Sequence, residues 1–103
     1  MKLRLLLAGL AALAAVGASC QALASSECTG TITRLYTENS GYVWVQFAEG
    51  GAAEILADNP SKASFYAGLL AAKLAGRPVT FRYWKATSVC TQINSDVQGV
   101  WIN

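Results

Sequence analysis

Residues 58–84 read DNPSKASFYAGLLAAKLAGRPVTFRYW, and the reading of this stretch decides the fold. Asp58-Asn59-Pro60-Ser61 supplies capping side chains around a proline suited to the first turn of a helix. Phe65, Leu69 and Ala72 then recur at helical spacing, and so do Tyr66, Leu70 and Leu74. Gly76 stands where a left-handed residue ends a helix, and Pro78 prevents continuation. Lys73 and Arg77 complement the negative end of the helix dipole. Together these signals predict a helix from about Ser61 to Ala75. Phe65, Leu69 and Leu70 are expected to pack against a sheet, with Lys62 and Lys73 in solvent. Past Pro78 the period changes to two. Val79, Phe81 and Tyr83 share one strand face; Thr80, Arg82 and Trp84 share the other.

Strand signals flank the helix on both sides. Gly30–Tyr36 is a first predicted strand, rich in Thr, Ile, Leu and Tyr. Glu38-Asn39-Ser40-Gly41 is a turn cluster in which Gly41 can take positive φ. Tyr42–Phe47 alternates clearly: Val43, Val45 and Phe47 point one way, and Tyr42, Trp44 and Gln46 the other. Gly50-Gly51 marks a turn into a short third strand, Ala53–Ala57. Val79–Trp84 is the fourth strand, and Val97–Ile102 the fifth, after a loop carrying Cys90. The expected class is mainly β with one helix, in the order β-β-β-α-β-β. That is the connectivity of a five-stranded Greek-key barrel, the OB-fold.

Before all of this lies a leader. Lys2 and Arg4 precede an apolar run from Leu5 to Val16, and Ala22-Leu23-Ala24 offers small residues where a signal peptidase reads. The run is shorter than the ~20 apolar residues of a spanning helix. Cleavage after Ala24 is expected, leaving residues 25–103 as a single small domain without a transmembrane segment, in the periplasm or outside the cell. Two alternatives stand beside it: a retained N-terminal anchor, and a lipoprotein acylated at Cys20 after Gly17-Ala18-Ser19.

Removing the leader reshapes the charge and the cysteine count. Of the formal charge of +2, Lys2 and Arg4 account for all. Arg34, Lys62, Lys73, Arg77, Arg82 and Lys85 then face Glu27, Glu38, Glu49, Glu54, Asp58 and Asp96. Near-neutrality argues against a nucleic-acid partner, whose binding depends on neutralising phosphates. With Cys20 gone, Cys28 and Cys90 remain, and in an oxidising compartment the pair is expected to close. In the chain-entropy model so long a loop contributes roughly 4 kcal/mol, a large share of the stability of so small a domain.

The segment Phe65 to Tyr83 resembles the helix and following strand of pentameric bacterial toxin B subunits, those of the subtilase cytotoxin and typhoid toxin type. The shared features are an aromatic-led helix, the exit Gly76-Arg77-Pro78-Val79 and a strand ending in Tyr83. Thr29-Gly30-Thr31-Ile32-Thr33 is similar to their first strand. The resemblance implies an OB-fold, a homo-oligomer (a pentamer) with an exported enzymatic subunit as partner, and recognition of glycans ending in sialic acid. It carries the sugar site to Thr29 and Tyr83. Trp84 departs from the family's acidic residue at its position, and the cysteine layout differs.

Trp44 and Trp84 each fall opposite an aliphatic row, which marks them as an exposed aromatic surface for oligomerisation or sugar stacking. Trp101 is the third member of that set, and Arg82 shares the outward row of Trp84. Catalysis has little to work with. The chain has no histidine, no nucleophile elbow, no glycine-rich phosphate loop and no acidic metal-loop spacing. No enzyme activity, cofactor or metal is expected. The function expected is a non-catalytic binding domain recognising glycans; the alternative is a free-standing periplasmic domain with a structural or inhibitory role.

Overall fold

The computed structural model describes residues 24–103. The expected leader, apart from Ala24, and Cys20, the alternative acylation position, lie outside the described residues. The elements run β1 (Ser26–Thr37), β2 (Val43–Phe47), β3 (Ala52–Ile55), α1 (Lys62–Ala75), β4 (Pro78–Tyr83), β5 (Ile93–Asn94) and β6 (Val97–Ile102). Among the described residues there are one helix and a curled sheet, the mainly β class expected. The strand count differs. Six strands form one sheet in the order β5-β3-β2-β1-β4-β6, because Ile93–Asn94 adds a short parallel partner for β3 that the sequence does not announce.

β1 is the axis of the sheet and is longer than its composition suggests. Its first half pairs with β4, from Ser26 opposite Tyr83 to Thr31 opposite Pro78. Its second half pairs with β2, from Ile32 opposite Phe47 to Thr37 opposite Val43. The register shifts between Ile32 and Arg34, and such a bulge bends a strand and sharpens its twist. Just before it the Glu49 carboxylate accepts the Thr31 N–H, at 2.7 and 3.1 Å from its two oxygens, so that donor is satisfied.

Inward-facing positions of the strands meet in one core. Val45, Ala53, Ile55, Val79, Phe81 and Tyr83 are fully buried, and Cys28, Ile32, Val43, Phe47 and Val97 nearly so. The Phe81 ring meets Phe47 edge-on at 5.5 Å and stacks on Tyr83 at 6.1 Å. Gly30 is required by that packing, because a Cβ there would stand 2.9 Å from the Phe47 ring. Each large side chain so buried contributes roughly 1.5–3 kcal/mol.

The helix covers the open side of this core. It begins at Lys62 rather than in the proline turn. Pro60 precedes it, and Ser61 caps it without a side-chain hydrogen bond. Asn59 organises the entry instead, its Oδ1 accepting the Ser61 N–H at 3.0 Å. The exit is as expected: Gly76 is left-handed, at φ 66°, and its N–H reaches the carbonyls of Ala72 and Lys73.

Two helix positions need correction. Leu69 and Ala72 are buried, with Phe65 and Tyr66 packed at the margin, but Leu70 is exposed. The helix is apolar on almost every side, so periodicity alone does not select its inner face. Lys62 is not simply solvated either. Its ammonium donates to the Gly41 carbonyl at 2.6 Å, tying the helix start to the β1–β2 turn.

The last loop is fastened at several points. Cys28 and Cys90 form a disulfide, with Cα atoms 5.6 Å apart. Asn94, a buried polar residue, donates from Nδ2 to the Val89 carbonyl at 3.1 Å. Ala52 N–H donates to Gln92 O at 3.2 Å. Gly51 has φ +78°, and a Cβ on it would collide with the Cys90 carbonyl. Backbone conformation and close approach both demand glycine there. No helix among the described residues is long and apolar enough to cross a membrane.

Candidate functional site

The β1–β2 turn fixes which side chains share the outer face of the sheet. Gly41 takes φ +102°, and its N–H donates to the Glu38 carbonyl at 2.8 Å. The pairs that follow are symmetric about Ser40: Thr37 with Val43, Tyr36 with Trp44, Leu35 with Val45 and Arg34 with Gln46. Alternation then sends Val43 and Val45 into the core and leaves Tyr36, Trp44, Arg34 and Gln46 on the outer face.

These four residues and Tyr42 line an open groove of about 420 Å³, within the range of small-molecule sites. Its floor is aromatic. Tyr36 and Tyr42 lie 6.3 Å apart at a tilt of 60°, and Trp44 sits half-buried opposite Tyr36 in the register. On the other side of Trp44, β3 places Glu54 opposite it. Arg34 and Gln46, cross-strand neighbours in the register, bring a guanidinium and an amide to the groove. Among the described residues no carboxylate lies within ion-pair distance of Arg34; the single ion pair there is Lys85–Asp96, at 3.7 Å.

Electrostatics keep the Tyr42 phenol a neutral donor. The Tyr42 hydroxyl titrates above its ordinary value, first through desolvation and then through the nearby Glu38 carboxylate. Glu38 also organises the turn, accepting the Asn39 N–H at 3.1 Å and the Ser40 hydroxyl at 3.4 Å. An aromatic floor with a guanidinium, an amide and two phenols at its edges suits a ring carrying hydroxyl or carboxylate groups. The rings take its C–H face, and the polar groups meet its oxygens.

Thr29 and Tyr83 are not brought together. They lie on adjacent strands but on opposite faces of the sheet. Thr29 faces outward opposite Thr80, and their hydroxyls are 2.8 Å apart. Tyr83 points inward, fully buried, and its hydroxyl titrates above its ordinary value, first through burial and then through the Asp96 carboxylate. The physical reason is alternation. Thr29 and Ser26 of β1 are separated by an odd number of positions, and it is Ser26 that pairs with Tyr83.

Trp44 and Trp84 do not form one surface. Trp84 is 65% exposed, just past the end of β4, where Tyr83 faces Ser26. Trp44 faces Tyr36 of the same strand. Ten residues of β1 separate these positions, about 33 Å of extended strand. Arg82 has Gly99 and Glu27 as its cross-strand neighbours.

Arg34, Tyr36, Tyr42 and Gln46 went unremarked as site residues, although a signal for them exists. A turn centred on Ser40, between strands of alternating pattern, pairs Tyr36 with Trp44 by counting outward. Among the described residues no cluster of His, Cys, Asp or Glu could hold a metal ion. No family model, no curated protein and no solved structure matches this chain.

Proposed function

We propose that this chain is an exported, non-catalytic binding domain that takes a sugar in the Arg34–Tyr36–Tyr42–Trp44–Gln46 groove. The observation that carries the reading is the groove itself: three aromatic rings, with a guanidinium, an amide and two phenol hydroxyls, on one outer sheet face, fixed by the hairpin register. Export is supported by the leader sequence and by the Cys28–Cys90 bridge, which suits an oxidising compartment.

The fold part of the proposal is a variant of the OB-fold barrel. β5 and β6 serve as one fifth strand interrupted at Ser95-Asp96. Its first piece runs parallel to β3 and its second antiparallel to β4, so the sheet curls back on itself. Oligosaccharides bind OB-folds on the face of strands two and three, where Trp44 and Glu54 stand. Within this reading the toxin-subunit likeness extends to fold and ligand class, and Arg34 is the group to meet a sugar carboxylate. Assembly into a homo-oligomer is favoured by the outward helix stripe Ala63, Ala67, Leu70, Ala71 and Leu74, the last 79% exposed.

A glycan array probed with the mature chain, beside its mass in solution, tests this. Binding that disappears in Trp44→Ala supports the groove. A monomer that binds no glycan replaces the proposal with its alternative, a free-standing periplasmic domain of structural or inhibitory role.

A further inference from the structure

A second hollow lies on the outer face of β4 and β6, at the other end of β1. It is lined by Arg82, Gln98, Gly99, Val100 and Trp101 and measures about 310 Å³. The Trp101 indole is held in place. Its Nε1–H donates to the Glu27 carboxylate at 2.8 Å while the residue stays 57% exposed. Holding the ring by its edge leaves a face free at little further ordering cost.

The floor of the hollow is Gly99, and nothing in the fold requires glycine there. Its φ is not in the left-handed region, and nothing lies within 4 Å of the place a Cβ would occupy. In a strand, glycine without such a reason weakens the sheet or marks a place where a ligand approaches. Two polar residues line the hollow beside Gly99. Arg82 lies directly opposite Gly99, with Nε donating to the Ser25 hydroxyl at 2.8 Å and, among the described residues, no carboxylate within ion-pair distance. Gln98 is the extra residue of a bulge, since Arg82 pairs with Gly99 and Tyr83 with Val97. Its Oε1 is buried without a hydrogen-bond partner.

We infer that this hollow is a second ligand site, independent of the β1–β2 groove, and that its ligand is a neutral pyranose. The sugar's C–H face stacks on Trp101, and its oxygens accept from the Arg82 guanidinium. Neutrality follows from the charge at hand. Glu27 is the cross-strand neighbour of Arg82 and its carboxylate sits on the edge of Trp101, so an acidic sugar stacked on that ring would meet a like charge.

The test is an amide and indole NMR titration of the mature chain with methyl β-D-galactopyranoside and methyl β-D-glucopyranoside, into the mM range expected of monosaccharides. Methyl β-D-glucuronide serves as the charged comparison. A neutral pyranoside should shift the Trp101 indole N–H and the Gly99 amide. Gly99→Val fills the hollow with a good strand former and should keep the melting temperature while weakening those shifts at least tenfold in apparent affinity. Trp101→Ala should do the same, and serves alone if Gly99→Val does not fold. Trp44→Ala should leave them intact. No shift with either neutral sugar, shifts that survive in Gly99→Val or Trp101→Ala, or shifts with the glucuronide alone would overturn the inference.

Discussion

Replacing both cysteines, Cys28→Ala with Cys90→Ala, removes the one covalent link across this domain without leaving a free thiol. The bridge closes a loop of 62 residues. The chain-entropy relation assigns a loop of that length about 4 kcal/mol. Domains near this size have in total roughly 0.05–0.15 kcal/mol per residue, so the bridge is comparable to the whole net stability. The loss should be largely of this kind. Cys90 is exposed and contributes little burial, and Cys28 is a small core residue whose truncation leaves a minor gap. Local consequences should concentrate at the β3–β5 pair. Gly51 and Ala52 lean on the carbonyls of Cys90 and Gln92, and those two strands pair through only two residues each. Urea unfolding followed by tryptophan fluorescence measures the effect. The variant should lose roughly 3–5 kcal/mol and show a larger m-value, since its unfolded chain is no longer cross-linked. A loss below about 1 kcal/mol at unchanged m would refute the reasoning.

Other expectations follow from single contacts. Lys62→Met keeps the aliphatic stem but removes the donor to Gly41, and should cost about 1 kcal/mol by urea titration, whereas Lys73→Met should be silent. Leu69→Ala should cost roughly 2–5 kcal/mol and Leu70→Ala well under half as much; equal losses would mean that the inner helix face is misassigned. Tyr83 keeps its proton in the folded state above the pH at which the unfolded phenol, near 10, releases it. Its contribution is therefore complete below about pH 10 and falls as pH rises from there, so alkaline unfolding should begin later in Tyr83→Phe than in the parent chain.

Much of the fold was legible because its signals are local. Gly76 and Pro78 stop the helix, Gly41 permits the tight β1–β2 turn, and alternation in Val43–Phe47 sorts core from surface without tertiary information. What could not be read depends on contacts distant in sequence. Ile93–Asn94 is a strand only because β3 lies beside it, and two residues carry no periodicity. The start of β1 at Ser26 is set by pairing with β4, not by its own composition. Lys62 looks like any solvated lysine until the turn at Gly41 is placed within its reach. The site follows the same division. Trp44 was recognisable from its face of the strand, and its partners Tyr36 and Arg34 needed only the hairpin register. Thr29 and Tyr83 were joined by resemblance alone, and the alternation of paired strands separates them.

The account turns on which face of the sheet holds a ligand, and one comparison addresses it most directly. For the tightest glycan found on the array, the dissociation constant is measured calorimetrically for the parent mature chain, Trp44→Ala and Tyr83→Phe. Losing an aromatic stacking partner removes roughly 0.5–1.5 kcal/mol beyond its buried area, so Trp44→Ala should weaken binding tenfold or more. Tyr83→Phe, altered inside the core, should bind as the parent does. Binding that survives Trp44→Ala and is lost in a folded Tyr83→Phe would contradict the account.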